Sequence, residues 1–268
     1  GYEPNHLLCT RMDFVIIPLV AMLASLLTFF SGFGLGTLLM PVFAVFYPVE
    51  IAVALTGVVH LLNNLFKIAL VYKNIDFGIA LRFGIPAIIM ALVGALILTQ
   101  TASSEPFFSY QFGDRLLEMT VVKTVIGLLM LAFAIMEVTP ALNQWQFGKK
   151  HLILGGALSG FFGGVSGHQG ALRSMFLLKS GLTKEGFIAT GITVACAVDI
   201  GRLGVYWGGF MQSNWMENGQ LLGVTILAAF TGAYLGKRLL TKITIGSIQI
   251  TVSVLISLMG LALISGLI

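Results

Sequence analysis

The sequence is poor in charged residues, which make up only 10% of the chain against 57% hydrophobic residues. A soluble domain of this size carries roughly 25% charged residues and confines its apolar surface to helical stripes or strand faces. The shortage of charge and the mean hydropathy of +0.97 therefore exclude a soluble domain and predict a membrane protein. The net charge of +4 is ordinary when cytoplasmic loops are enriched in Lys and Arg, and it does not indicate nucleic-acid binding.

Cysteine and histidine are also scarce. Cys9 lies near the start and Cys196 within an apolar run, so the sequence predicts neither a disulfide framework nor a clustered metal site. The four histidines have no metal-ligand spacing, and no serine, histidine and acid set stands out for hydrolysis. The sequence therefore predicts no metal, no cofactor and no enzyme activity.

Six apolar runs are long enough to cross a bilayer. A hydrocarbon core of ~30 Å needs about 20 helical residues, and each run reaches that length with few charges inside. We therefore predict at least six spanning helices in a single membrane transport domain over residues 1–268, with the first run of the chain read as part of the fold. The six runs are 49–72, 79–99, 119–138, 184–207, 220–240 and 243–268.

Two pairs of shorter runs flank glycine-rich breaks. The first pair is 14–30 and 36–47, and the second is 152–162 and 171–180. Three of these four arms have only about 10 to 12 residues, too few to span alone. Irregular backbone at membrane depth must be buried in protein or line a water-filled cavity, because lipid cannot hydrogen-bond it. We therefore predict two re-entrant hairpins with breaks at 31–37 and 163–170.

The two halves of the chain share a sparse pattern of identical residues. Gly36 matches Gly170 and Thr56 matches Thr190 at a constant offset of 134 positions. Charge placement is independent support, because one topology puts most connecting Lys and Arg residues on one side, which the positive-inside rule makes cytoplasmic. The acidic stretch 105–118 and the link 208–219 then lie outside. The basic residues are Lys73, Lys149, Lys150, Lys179, Lys184, Lys237, Arg238 and Lys242.

In this topology the first half, 14–138, begins outside and the second half, 151–268, begins inside. The predicted fold is therefore an all-α polytopic membrane protein of the cell (inner or plasma) membrane. It is an inverted repeat of two halves, each with a glycine-broken hairpin plus three spanning helices. Such repeats with broken helices near the midplane are typical of secondary transporters. Half-helices that start near Thr37 and Ala171 would point their N-terminal amides at the membrane centre, where they favour an anion.

The glycine-rich segments also carry a family resemblance. The run Gly-Phe-Gly-Leu-Gly-Thr-Leu-Leu-Met-Pro at 32–41, its glycine-rich echo at 160–170 and the Ala189-Thr190 step resemble the TauE/SafE family of sulfite and organosulfonate transporters. The resemblance spans roughly 14–268. It implies a multi-pass transporter of two related halves for sulfur-containing or organic anions such as sulfite, sulfoacetate or other sulfonates, with proton coupling as an option. The second half departs from the family pattern at 168–169, at Arg173 and at Met175, which leaves the exact anion open.

The polar residues within the apolar runs give candidate substrate ligands. Arg173 lies in the first turn of the second half-helix, where its guanidinium can fork onto an oxyanion, although a structural role is the alternative. His60 and Asn64 lie one turn apart on one face and either line the pathway or make interhelical hydrogen bonds. The predicted substrate-binding residues are Gly34, Gly36, Thr37, His60, Asn64, Ser166, His168, Gln169, Gly170 and Arg173.

Three residues are candidates for coupling transport to a proton: His168, Asp199 and Arg202. His168 can titrate near physiological pH, or it is a neutral hydrogen-bonded histidine. Asp199 and Arg202 are three residues apart, so the sequence favours a structural ion pair over an Asp199 proton carrier that frees Arg202 for an anion. Lys67 is expected to extend its side chain to the cytoplasmic edge.

Several alternatives stay open at this point. An alternating-access transporter is the first hypothesis, and an anion channel with the same hairpins along its pore is the second. A carboxylate transporter and a membrane-embedded enzyme using His168 or Asp199 are further options. The predicted partners are a small anion and the lipid bilayer. The small-residue faces at Gly94, Gly127 and Gly232 serve either packing within one chain or a homo-oligomer.

Overall fold

The computed structural model of the chain describes residues 4–28, 35–102, 105–113, 115–139, 147–210, 219–239 and 245–268. These residues form ten α-helices. The first half contains α1 (Pro4–Leu27), α2 (Leu35–Phe46), α3 (Val49–Val71), α4 (Phe77–Thr101) and α5 (Val121–Val138). The second half contains α6 (Leu152–Ser166), α7 (Gly170–Leu177), α8 (Lys184–Phe210), α9 (Gly219–Leu239) and α10 (Ile245–Ile264).

Four helical segments are long and apolar enough to cross a membrane: Val49–Asn74, Phe77–Thr101, Lys184–Trp207 and Gly219–Arg238. They correspond to four of the six spanning runs that the sequence predicts. The other two runs appear as shorter apolar segments, Val121–Met136 and Ser253–Ile264. The mostly helical membrane protein expected from composition is therefore confirmed.

The helix ends follow from local chemistry. Asp76 caps α4 by accepting the Ile79 N–H at 2.9 Å, and Thr120 caps α5 by accepting the Lys123 N–H at 3.2 Å. Gly167 ends α6 with a φ of 78°, a left-handed conformation that side chains other than glycine rarely adopt. The chain therefore leaves α6 sharply and enters α7 three residues later.

The link between α4 and α5 contains an element that the sequence analysis did not predict. Strands β1 (Phe108–Phe112) and β2 (Arg115–Met119) form an antiparallel hairpin in the acidic stretch. Tyr110 anchors it by donating its hydroxyl to the Ser265 carbonyl at 2.7 Å, and Leu117 is buried. The described part of the fold is thus helical with one small two-stranded sheet.

The structure also moves several predicted boundaries. α6 continues through Ser166, so the second break covers only 167–169 instead of 163–170. α1 begins at Pro4 instead of 14, and α8 extends to Phe210 beyond the predicted 207. Most of the first break, including Gly34, lies outside the described residues.

Glycines allow α4 and α6 to pack with their backbones close together. Gly156, Gly160 and Gly164 lie one turn apart on α6, and a Cβ added to any of them would lie within 2.2 Å of an α4 carbonyl oxygen. Between membrane helices, close packing of small residues supplies the van der Waals contact that hydrophobic burial supplies in water. These glycines therefore serve helix packing.

The three other small-residue positions also pack within the chain. A Cβ on Gly94 would lie 2.3 Å from a carbonyl of α6, and one on Gly127 would lie 2.6 Å from a carbonyl of α10. A Cβ on Gly232 would lie 2.0 Å from a carbonyl of α1. The sequence left open whether these small-residue faces pack within one chain or between chains, and the structure shows packing within the chain.

Replacing Gly160 by alanine is expected to destabilise the protein by about 1–3 kcal/mol, because the new methyl group collides with the backbone of α4. Gly223 is the matched control, since a Cβ there meets nothing within 4 Å. Gly223→Ala is expected to leave stability unchanged or raise it by up to about 1 kcal/mol through helix propensity. Thermal unfolding in detergent compares the two variants, and equal melting temperatures would contradict the packing account.

Candidate functional site

The start of α2 lies against the break between α6 and α7. A Cβ added to Gly36 would lie 3.5 Å from the Gly167 carbonyl oxygen, 3.5 Å from Thr56 Cγ2 and 3.9 Å from His60 Cδ2. Thr37, the next residue, is also buried. The structure therefore brings the beginning of one half-helix, the break before the other and the face of α3 into one region.

Asp199 is the centre of a buried polar cluster in this region. Its carboxylate lies 2.6 Å from His60 Nδ1 and accepts hydrogen bonds from Arg202 Nε at 3.0 Å and Gln169 Nε2 at 3.4 Å. All four side chains are at most 2% exposed. The cluster joins α3, the break and α8 through one carboxylate.

This geometry contains the Asp199–Arg202 pair that the residue spacing predicts, with Arg202 Nη2 2.9 Å from the carboxylate. The contact of Asp199 with His60 is additional, because the sequence placed His60 only beside Asn64. The Asn64 amide nitrogen does lie 3.2 Å from His60 Nε2. His60 therefore connects its own helix face to the ion pair of α8.

Side chains of α8 and α6 hold the end of α6 and the break after it in position. Arg202 Nη1 donates to the Gly163 carbonyl at 3.3 Å, and Tyr206 donates its hydroxyl to the Gly164 carbonyl. Ser159 Oγ donates to the Gln169 carbonyl at 3.1 Å. These bonds satisfy backbone oxygens that lipid could not, as irregular structure at membrane depth requires.

Two further predicted residues have local roles beside the break. Ser166 donates its hydroxyl to the Phe162 carbonyl at 3.0 Å, and Gly170 is the first residue of α7. The Ser166 carbonyl lies 2.8 Å from His168 Nδ1. The break is therefore stabilised from within as well as by α8.

Arg173 lies in the first turn of α7 and is 7% exposed. A Cβ added to Gly191 of α8 would lie 3.5 Å from its Nε, so the Arg173 side chain packs against α8 at this glycine. Arg173 lies within electrostatic range of Asp199 and of Lys67. Its position next to the N-terminal amides of α7 concentrates positive charge there.

Lys67 does not extend to the membrane edge, and that prediction is wrong. The residue is 4% exposed, so its side chain lies inside the helix bundle. When the Asn63 amide is oriented to donate to the Ala229 carbonyl, its oxygen lies 3.3 Å from Lys67 Nζ. Lys67 is one heptad after His60 on α3, and that spacing places both on one helix face, a signal that could have identified it.

Two buried residues beside the site were also missed from the sequence. Tyr206 is one turn after Arg202 on α8, so its place on the same face could have been predicted. Thr56, which faces Gly36, precedes His60 by one turn on α3 in the same way. Within the described ranges, no group of three His, Cys, Asp or Glu side chains is placed to hold a metal ion.

The cluster is rich in positive charge. Arg202 is paired with Asp199, Arg173 lies within electrostatic range of the same carboxylate, and the buried Lys67 lies within electrostatic range of Arg173. Buried charge within a membrane protein is costly and is normally compensated by opposite charge. An anion beside α7 would interact favourably with these basic side chains and with the helix N-terminus.

The sequence model of the sulfite exporter TauE/SafE family matches residues 17–263, which include every site residue described above. The chain belongs to this family. TauE/SafE proteins are membrane transporters, and the resemblance predicted from the glycine-rich segments is confirmed. Neither a curated protein nor a solved structure matches the chain.

Proposed function

We propose that this TauE/SafE protein is a secondary transporter that moves a small sulfur-containing anion, such as sulfite, sulfoacetate or another organosulfonate, by alternating access. The observation that carries the proposal is the meeting of α2 with the break that Arg202 contacts and that Arg173 follows in the first turn of α7. Basic side chains and helix N-termini are the donors that bind oxyanions in proteins.

The helix packing supports an inverted repeat of 14–138 and 151–268. When the two halves are matched helix by helix, α4 corresponds to α9 and α6 corresponds to α1. The contact of α4 with α6 then has its counterpart in the contact of α1 with α9. Likewise α3 packs on its counterpart α8, and α5 packs on α10. Two such halves can give outward-open and inward-open states of similar energy.

Burial of the cluster supports a carrier rather than a channel. Asp199, Arg202 and Gln169 are at most 1% exposed, so an anion reaches them only when the surrounding helices move. A channel needs a continuous open path, whereas a carrier closes around its site between openings.

Proton coupling is part of the proposal. Protonation of Asp199 would weaken its hold on Arg202, which could then turn to the anion. His168 in the break is the imidazole that we propose for exchanging this proton. The loops rich in Lys and Arg would face the cytoplasm.

The test is uptake of radiolabelled sulfite, sulfoacetate and acetate into proteoliposomes, with and without an imposed pH gradient. Saturable uptake of the sulfur-containing anions, increased by the gradient, is expected. Protein-free liposomes give the background. If folded protein took up none of the three anions, the transport proposal would be overturned. If it took up acetate and neither sulfur-containing anion, the proposed substrate class would change to carboxylates.

A further inference from the structure

Two hydrogen-bond acceptors in the break have no partner among the residues that the structure describes. They are Nε2 of His168 and Oε1 of Gln169. The two residues are 3% and 1% exposed. A buried acceptor without a donor is costly, so such atoms commonly mark the place of a ligand or water.

The identity of these atoms as acceptors follows from their neighbours. His168 Nδ1 lies 2.8 Å from the Ser166 carbonyl oxygen, which can only accept, so Nδ1 carries the hydrogen. In the neutral imidazole Nε2 is then an acceptor. The Gln169 amide nitrogen faces the Asp199 carboxylate at 3.4 Å. Rotating that amide would place two oxygens against each other, so Oε1 is the free acceptor.

Both acceptors belong to the two residues that immediately precede α7. The first-turn N–H groups of α7 have no acceptor within their own helix, and Arg173 lies in the same turn. Residues 168–173 therefore carry both donors for the oxygens of an anion and acceptors for a hydrogen. An anion with no hydrogen to donate would use only the donors and would turn its own lone pairs towards the two acceptors.

We propose that the site prefers an oxyanion that keeps one acidic hydrogen, such as hydrogen sulfite with its proton on oxygen. The O–H group donates to His168 or Gln169, while the other oxygens accept from α7 and Arg173. This inference rests on the proposed function and narrows its substrate class. Both acceptor atoms are closed off from solvent in this conformation, so the anion enters when the break moves.

Methylphosphonate and methanesulfonate test the inference, at a pH at which both are monoanions. They are similar in size and differ by one O–H group. Titration calorimetry on the detergent-purified protein is expected to show methylphosphonate binding at least about 10-fold more tightly, the effect of one unpaired buried acceptor. Gln169→Met and His168→Phe each remove an acceptor and are expected to reduce this ratio towards one.

His151→Gln is the control, because His151 is exposed at the start of α6 and is expected to leave the ratio unchanged. Equal affinities of the unaltered protein for the two anions would overturn the inference about the acidic hydrogen, whether or not the variants fold, and would leave the anion site in place. Binding of neither anion would also overturn this inference. If sulfite uptake were absent as well, the proposed function would fail together with the inference.

Discussion

Replacing Arg173 by alanine is expected to lower the initial rate of sulfite uptake about 10- to 100-fold at low sulfite concentration. Hydrogen bonds to charged groups contribute about 1.5–3 kcal/mol, and the guanidinium is the charged donor in the first turn of α7. Arg173→Lys keeps the charge without the planar fork, so a smaller loss is expected. For both variants, the initial uptake rate is measured in proteoliposomes over a range of sulfite concentrations. A raised KM indicates weaker sulfite binding.

Arg82→Ala is the control for the loss of one positive charge, because Arg82 is exposed on α4. Its uptake kinetics are expected to match those of the unaltered protein. If folded Arg173→Ala transported sulfite with unchanged rate and KM, Arg173 would have no part in anion binding, and the position of the site beside α7 would be wrong.

Replacing Asp199 by alanine is expected to destabilise the protein by about 3–5 kcal/mol. Removing one partner of a buried ion pair leaves an uncompensated charge, here that of Arg202. His60 and Gln169 lose the same acceptor. Thermal unfolding in detergent should therefore show a clearly lower melting temperature for Asp199→Ala.

Two further variants separate charge from shape at this position. Asp199→Asn keeps an oxygen acceptor and should destabilise the protein less than Asp199→Ala. Combining Asp199→Asn with Arg202→Gln removes both charges and should recover part of the loss. Glu185→Gln, at an exposed carboxylate on α8, should unfold like the unaltered protein. Unchanged stability of Asp199→Ala would contradict a structural role for the cluster.

The Asp199–Arg202 pair could be predicted because it depends on spacing within one helix. The bond between His60 and Asp199 could not, since the two residues are 139 positions apart and meet only when α3 packs on α8. Lys67 shows the same limit. Hydropathy placed it near a helix end, but the side chain turns inward because its face of α3 is the polar face that carries His60.

The second break was predicted too long because glycine has two uses in membrane helices. Gly163 and Gly164 look like irregular backbone in the sequence, yet both lie inside α6. Gly164 is there because its missing side chain lets α4 approach. Among the glycines of the predicted break 163–170, only Gly167 has the left-handed backbone that favours glycine. Sequence alone does not distinguish a glycine that breaks a helix from one that packs it.

The β-hairpin was missed although its pattern is visible. Phe108, Tyr110 and Phe112 alternate with polar residues, which is the period of a strand. The two strands have only 5 residues each and lie in a short link between apolar runs, where a loop was expected. Its contact with the Ser265 carbonyl near the end of the chain is a tertiary feature that no local pattern indicates.

Counterflow tests the central claim, a closed anion site served by alternating access, most directly. Proteoliposomes are loaded with unlabelled sulfite, and the entry of external radiolabelled sulfite is compared with entry into unloaded vesicles. The account predicts faster entry and transient accumulation of label in the loaded vesicles, because the carrier returns with an anion bound. Entry that is independent of internal sulfite and carries a sustained ionic current would contradict it and would identify a channel.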